Sequence, residues 1–401
     1  MSKKNRKWLV FTIMCLAYMP GSYAQYQLSV YASELIQSFG LTTSQFSSLF
    51  TAPMIVAIFL SFVGGMISDK VGSKKVINIS FVIAGIGMIG RVFANSYMPF
   101  FLCMALTGFS NMFVNINASK ITASWFEQEK LGILMGIFAF CGQLPGAFAT
   151  ATTAVLFDSR TSAFIVSAIF CISVFVLWLL FVKDKPEDTM EEREKIDQEN
   201  QPSIGDSLKV VLSNKGIWLV SICIMMALGS TVTLSTFMPM ALQTMYGIDL
   251  KVCGTIASML TLGNCIGSIT GPIVFSKIKN VKVFVSGAAV LSFAGIIMCW
   301  RFPSIFVLHI LVLYTGIMLG ASMPIFLSAP VLLEGLGTKY AGSAAGVIST
   351  LQLLGAVLIP TYILTPIAGD NYSLLFMLAS ICMVIMFLCG LLLPQFGNNQ
   401  K

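Results

Sequence analysis

Few side chains in this sequence can do chemistry, and almost none are spaced to do it together. One histidine, His309, occurs among 401 residues. The chain contains no G-x-S-x-G elbow, H-E-x-x-H zinc helix, C-x-x-C pair or G-x-x-x-x-G-K-[ST] phosphate loop. What remains are isolated polar residues in apolar surroundings. They are Gln25 and Tyr26, then Asn111 and Asn115 four apart on one helical face, then Lys120, Gln143, Asn264, His309 and Gln352. Amides, a phenol and an ammonium can hold a solute by hydrogen bonds and charge, but they do not break bonds. These nine are the candidate substrate-binding residues. No catalytic residue, resident metal or cofactor is expected, and the chain is not read as an enzyme.

The elements that must position them follow from composition. Apolar residues make up 56% of the chain and charged residues 10%, against roughly 25% charged in a soluble domain. Mean hydropathy is +0.86. Disorder, a disulfide mini-protein and a nucleic-acid binder are excluded. The lipid bilayer is the expected surrounding, and the fold class is an all-α membrane protein. A span needs about 20 apolar residues. Twelve transmembrane helices are predicted near 8–30, 46–67, 76–94, 98–124, 131–156, 161–182, 216–243, 253–275, 283–300, 304–333, 341–366 and 372–393.

Two topologies compete at the start. Lys3, Lys4, Arg6 and Lys7 precede an apolar run with Ser22 and Ala24 spaced like a cleavage site, as in a secretory signal. The alternative keeps this run and puts both termini in the cytoplasm, with 20 of the 24 Lys and Arg on the inner side. Arg91, Arg160, Lys251 and Arg301 are the exceptions, and Arg91 is expected to snorkel from the end of span 3. The halves repeat: Trp8-Leu9-Val10 recurs as Trp218-Leu219-Val220, Thr107-Gly108 as Thr315-Gly316, and Gly132-x3-Gly136 as Gly342-x3-Gly346. That repetition counts the first run as a true span. It divides the chain into bundles over 1–182 and 215–401, joined by a cytoplasmic linker over 183–214. Nine of the seventeen acids lie between Asp184 and Asp206 in that linker, which reads as a solvated connection. Glycines 263, 267 and 271 are spaced for close helix packing.

Between spans 2 and 3 stands Gly65-Met-Ile-Ser-Asp69-Lys70-Val-Gly72-Ser-Lys74-Lys75. This resembles the G-x-x-x-D-[RK]-x-G-[RK]-[RK] loop of the major facilitator superfamily. The resemblance implies two pseudo-symmetric six-helix bundles around a midplane site, alternating access, and a gating role for Gly65, Asp69, Lys70, Gly72 and Lys74. It also implies that spans 1, 4, 7 and 10 line the cavity, with 2, 5, 8 and 11 between the halves. The second-half loop has Ser276 where the acid would stand. The R-x-x-Q-G and G-P-x-x-G-G signatures of drug/proton antiporters are absent, and no acid occupies the middle of a span, so drug efflux is a minor reading.

Two substrate readings stay open. In one, Lys120 is the counter-charge for a small organic anion and His309 a proton site. The other rests on a partial resemblance to choline- and haem-type facilitators, carried by Lys7-Trp8-Leu9-Val10, Gln25-Tyr26, Ser119-Lys120-Ile121 with Trp125-Phe126, and Gln143-Leu144. It implies an organic cation held by an aromatic cage and amides, with Gln352 as second partner to Gln143. Each residue also has a plainer role: the asparagines as helix ties, Lys120 by snorkelling, His309 at the interface. A sensor that kept a transporter fold is the remaining alternative. The expected setting is a bacterial plasma membrane. The expected partners are a small-molecule substrate and a coupling proton or ion, with no nucleic acid and a monomeric state.

Overall fold

The computed structural model describes residues 3–182, 204–333 and 336–395, and the regular elements among them are all helices. The first half supplies α1 (Lys3–Val30), α2 (Ala32–Phe39), α3 (Thr43–Val71), α4 (Ser73–Phe93), α5 (Tyr97–Trp125), α6 (Gln128–Leu156) and α7 (Arg160–Phe181). The second supplies α8 (Ile204–Ser213), α9 (Lys215–Tyr246), α10 (Leu250–Ile278), α11 (Val281–Met298), α12 (Ile305–Ala321), α13 (Met323–Leu332), α14 (Gly337–Leu358), a π-helical turn (Ile359–Leu364), α15 (Thr365–Ala368) and α16 (Tyr372–Leu392). The acidic stretch over 183–203 lies outside the described residues.

By length and apolarity, eleven spans qualify among the described residues. The twelfth expected span corresponds to α1, which is 28 residues long but opens on Lys and Arg and carries Gln25 and Gln27. Two spans are interrupted. The tenth breaks at Ser322, just before Pro324, so that α12 and α13 together make one crossing. In the eleventh, Pro360 lacks the N–H that an α-helix needs, and the chain widens into the π turn before resuming as α15.

The chain forms two compact units. One comprises Met1–Thr189 with Thr236–Ser258, the other Met190–Ser235 with Met259–Lys401. In the first, the outlying stretch of α9 and α10 is held by Phe237 against Phe46, 5.9 Å between ring centroids, and by Gly254 against the carbonyl of Thr150. In the second, Gly263, Gly267 and Gly271 lie against the backbone of Leu313, Ile317 and Ala321, while Gly316 and Gly320 lie against that of Leu260 and Asn264. A Cβ at any of these five would collide with main chain, so the glycine spacing does mark close packing.

Candidate functional site

The turn after α3 shows why its glycine is needed. Gly72 has φ +95°, caps α3 by donating its N–H to the Ser68 carbonyl at 3.1 Å, and begins α4 at once. A side chain would be strained there. Lys74 is half-buried. The side chains of Gly65, Asp69 and Lys70 lie outside the described residues. Asn117 stands close by on α5: it is fully buried and donates to the Ser68 hydroxyl at 3.0 Å and to its own helix at Phe113. It escaped the sequence reading because it falls between the Asn111–Asn115 face and Lys120.

Span 1 carries the densest polar network. Gln25 donates to the Phe50 carbonyl on α3 at 2.9 Å, and Gln27 donates to the Ala163 carbonyl on α7 at 3.1 Å. Tyr18 stacks on Phe138 and lies over Gly142, and Tyr26 lies over Gly146 with its edge toward Phe50. Two aromatic rings two turns apart on α1 therefore use two glycines one turn apart on α6 as seats.

Arg91 corrects the snorkelling expectation. Its side chain is 1% exposed. It donates to the Ala24 carbonyl and to Gln27 Oε1, each at 3.0 Å, and to the Ser167 hydroxyl, with the guanidinium 4.4 Å from the Phe164 ring centre. The ion pairs among the described residues are Lys130–Glu127 and Arg160–Glu34, and neither involves it. Burying a cation in lipid is costly, so the α4 side chain turns inward, where carbonyls of α1 and hydroxyls of α7 replace water. The signal was present as an arginine inside an apolar run, but the run alone does not say which way its face points.

The remaining candidates do not converge on one point. Asn111 is half-buried against Ser22 of α1. Asn115, Ser119 and Lys120 are exposed along the continuation of the same helix. Gln143 is half-buried on α6, and Asn264 is 7% exposed within the glycine-packed contact of the second unit. His309 is half-buried, with its Nδ1 2.8 Å from the Ile305 carbonyl of its own helix. Gln352 is half-buried on α14, seven residues before the π turn. Outside the spans, Glu127 is held below the ordinary carboxylate range, first by its hydrogen bond from Lys130 at 2.9 Å.

Residues 10–360 match the family model described as "Major Facilitator Superfamily". The chain belongs to that superfamily. It is a multi-pass membrane permease of all-α fold, and not an enzyme. Its relatives are distant. It is 23% identical over 364 residues to the "Probable sulfoacetate transporter SauU" of Cupriavidus necator, covering 85% of this chain and 83% of that protein. It is 22% identical over 309 residues to the "Galacturonate transporter" of Dickeya chrysanthemi, covering 74% and 90%. Similarity of 23% over 374 residues extends to the "Membrane sensor protein UhpC" of Salmonella typhimurium, covering 88% and 83%. Among solved structures, a bacterial homolog of the human lysosomal transporter Spinster, in an inward-facing and unoccupied conformation, superposes with TM-score 0.79 at 14% identity over 98% of this chain and 95% of that one. At that identity the likeness speaks for the fold alone.

Proposed function

We propose that this permease moves a small organic anion, a carboxylate or sulfonate, with Lys120 as its counter-charge. The observation that carries the reading is the exposed run Asn115, Ser119 and Lys120 on α5. Amides, hydroxyls and an ammonium at the protein surface inside a bilayer are costly against lipid, so this face is the one expected to meet water and solute. Arg91 is 1% exposed, with its two terminal nitrogens bonded to α1 and α7, and is no alternative counter-charge. Two relatives are named for sulfoacetate and galacturonate, which are both anions at neutral pH and support this class.

On this reading the bundles over 1–182 and 215–401 rock about a midplane site, both termini are cytoplasmic, and a proton or ion gradient or solute exchange supplies the energy. Gly65, Asp69, Lys70, Gly72 and Lys74 form the gate, and the setting is a bacterial plasma membrane. The remaining candidates (Gln25, Tyr26, Asn111, Asn115, Gln143, Asn264, His309 and Gln352) orient the solute or tie helices.

The test is uptake of labelled galacturonate, sulfoacetate and choline by vesicles containing the full chain. Uptake of either anion, competed by the other and not by choline, is the expected result. Choline uptake alone would favour the aromatic-cage reading. Saturable binding of an anion without movement would favour the sensor.

A further inference from the structure

We propose that the Asn111 carboxamide is a splice in α1: it enters the backbone ladder beside Pro20–Gly21 and sets the direction in which Gln25 and Tyr26 leave it. Pro20 has no N–H to give the Leu16 carbonyl, so the ladder is already open at this level. Two residues on, with the Asn111 amide oriented to satisfy both its ends, its nitrogen donates to the Tyr18 carbonyl at 3.1 Å. Its oxygen accepts from the Ser22 N–H at 3.1 Å and from the Ser22 hydroxyl at 3.0 Å. Tyr18 C=O and Ser22 N–H are the two groups that an uninterrupted helix joins to each other, and a side chain from α5 reaches both. Entry of a side chain between them is one of the few established causes of a helix bend.

Gly21 makes the approach possible, since a Cβ there would lie 2.7 Å from the carboxamide carbon of Asn111. The helix α6 seats α1 on both sides of the splice, through Tyr18 before it and Tyr26 after it, but the other neighbours differ. Before it, Tyr18 sits over Gly142 and Phe138 of α6. After it, Ala24, Gln25 and Gln27 are fixed by Arg91 of α4, Phe50 of α3 and Ala163 of α7. Asn111 thus joins two stretches of one helix that share α6 and differ in their other anchors. It is a positioning residue, acting on solute through Gln25 and Tyr26. That last step rests on the proposed function, whereas the splice itself does not.

The experiment is a double-mutant cycle on the purified full chain, with Gly21→Ala, Asn111→Ala and the pair, read first by apparent unfolding temperature. Gly21→Ala alone is expected to lower it by several degrees. Adding Asn111→Ala should restore part of that loss, because removing the carboxamide frees the space the new methyl needs. Asn111→Asp should destabilise the chain without restoring Gly21→Ala, since a carboxylate cannot donate to the Tyr18 carbonyl and frees no space for the methyl. Asn111→Ser replaces Asn111→Ala if the alanine variant does not accumulate. A neutral Gly21→Ala, or strictly additive losses, would overturn the splice.

The same variants are then scored for galacturonate uptake in vesicles. A positioning role lowers turnover about tenfold with KM held within about twofold. A raised KM at unchanged turnover would make Asn111 a direct ligand and overturn the positioning claim. If the native chain moves no galacturonate, the proposed substrate class loses its support while the unfolding cycle still decides the splice.

Discussion

Arg91 and Arg301 stand 210 residues apart, the offset that also relates Trp8 to Trp218, yet they live in different surroundings. Arg91 is buried, bonded to α1 and α7 and set against Phe164. Arg301 is exposed beyond the end of α11, with its guanidinium 5.4 Å from the Trp300 ring centre. Their neighbouring helices differ in the same sense. Where α1 has Pro20, Gly21, Gln25 and Gln27, α9 at the same offset has Ser230, Thr231, Ser235 and Phe237. Its polar ties are short hydroxyl bonds, such as Ser230 to the Ala379 carbonyl at 3.0 Å and Thr233 to its own helix at Gly229. The amide and guanidinium contacts are concentrated in the first half. The first unit adds amide and guanidinium hydrogen bonds along α1 to its glycine contacts, while the second has five glycines of one helix pair set against main chain.

The largest effect should come from the arginine pair. Arg91→Ala removes donors to Ala24, Gln27 and Ser167 from a buried site, and is expected to cost about 3 kcal/mol. Arg301→Ala should stay within about 0.5 kcal/mol, as exposed substitutions usually do. Thermal unfolding of the two purified variants compares them directly, and equal losses would break the contrast between the halves.

Next come the glycines. Gly142→Ala drives a methyl into the Tyr18 ring and should cost about 1–3 kcal/mol by overpacking. Gly346 sits mid-helix, and among the described residues no neighbouring atom lies within 4 Å of where its Cβ would stand. Gly346→Ala should therefore gain about 0.5–1 kcal/mol through helix propensity. Opposite signs in the same unfolding assay are the expected outcome.

The smallest effect separates the two corresponding turns. Gly72 at φ +95° tolerates no side chain without strain, so Gly72→Ala should lose about 1 kcal/mol. In the second half the turn is made by Lys279 at φ +55°, helped by Gln395 donating to its carbonyl at 2.7 Å and by Asn280 capping α11. Lys279→Gly should therefore gain a few tenths of a kcal/mol. A loss on Lys279→Gly would show that the lysine side chain, and not the backbone, stabilises that turn.

Much of this architecture is written in local pattern. Apolar runs locate the spans to within a few residues, and the tight turn at Gly72 follows from the motif that contains it. The short helix α2 and the break at Ser322 are not visible as apolar runs, because each is decided over fewer residues than a hydropathy window. The destinations of Arg91 and Asn111 are hidden for a different reason. Spacing of four assigns Asn111 and Asn115 to one face, but not the neighbour that face meets. Asn111 reaches a helix 89 residues earlier at Ser22, and Arg91 one 67 residues earlier at Ala24. Such contacts depend on how whole helices pack, which no short window records. An arginine in an apolar run is equally compatible with snorkelling and burial until that packing is known.

The most direct test of the account is the initial rate of labelled galacturonate uptake into vesicles carrying the native chain, Lys120→Gln or Lys120→Arg at matched amounts. Saturable uptake by the native chain is expected, with a fall of about tenfold or more in kcat/KM for Lys120→Gln and partial recovery with Lys120→Arg, which keeps the charge. Full uptake by Lys120→Gln would contradict it.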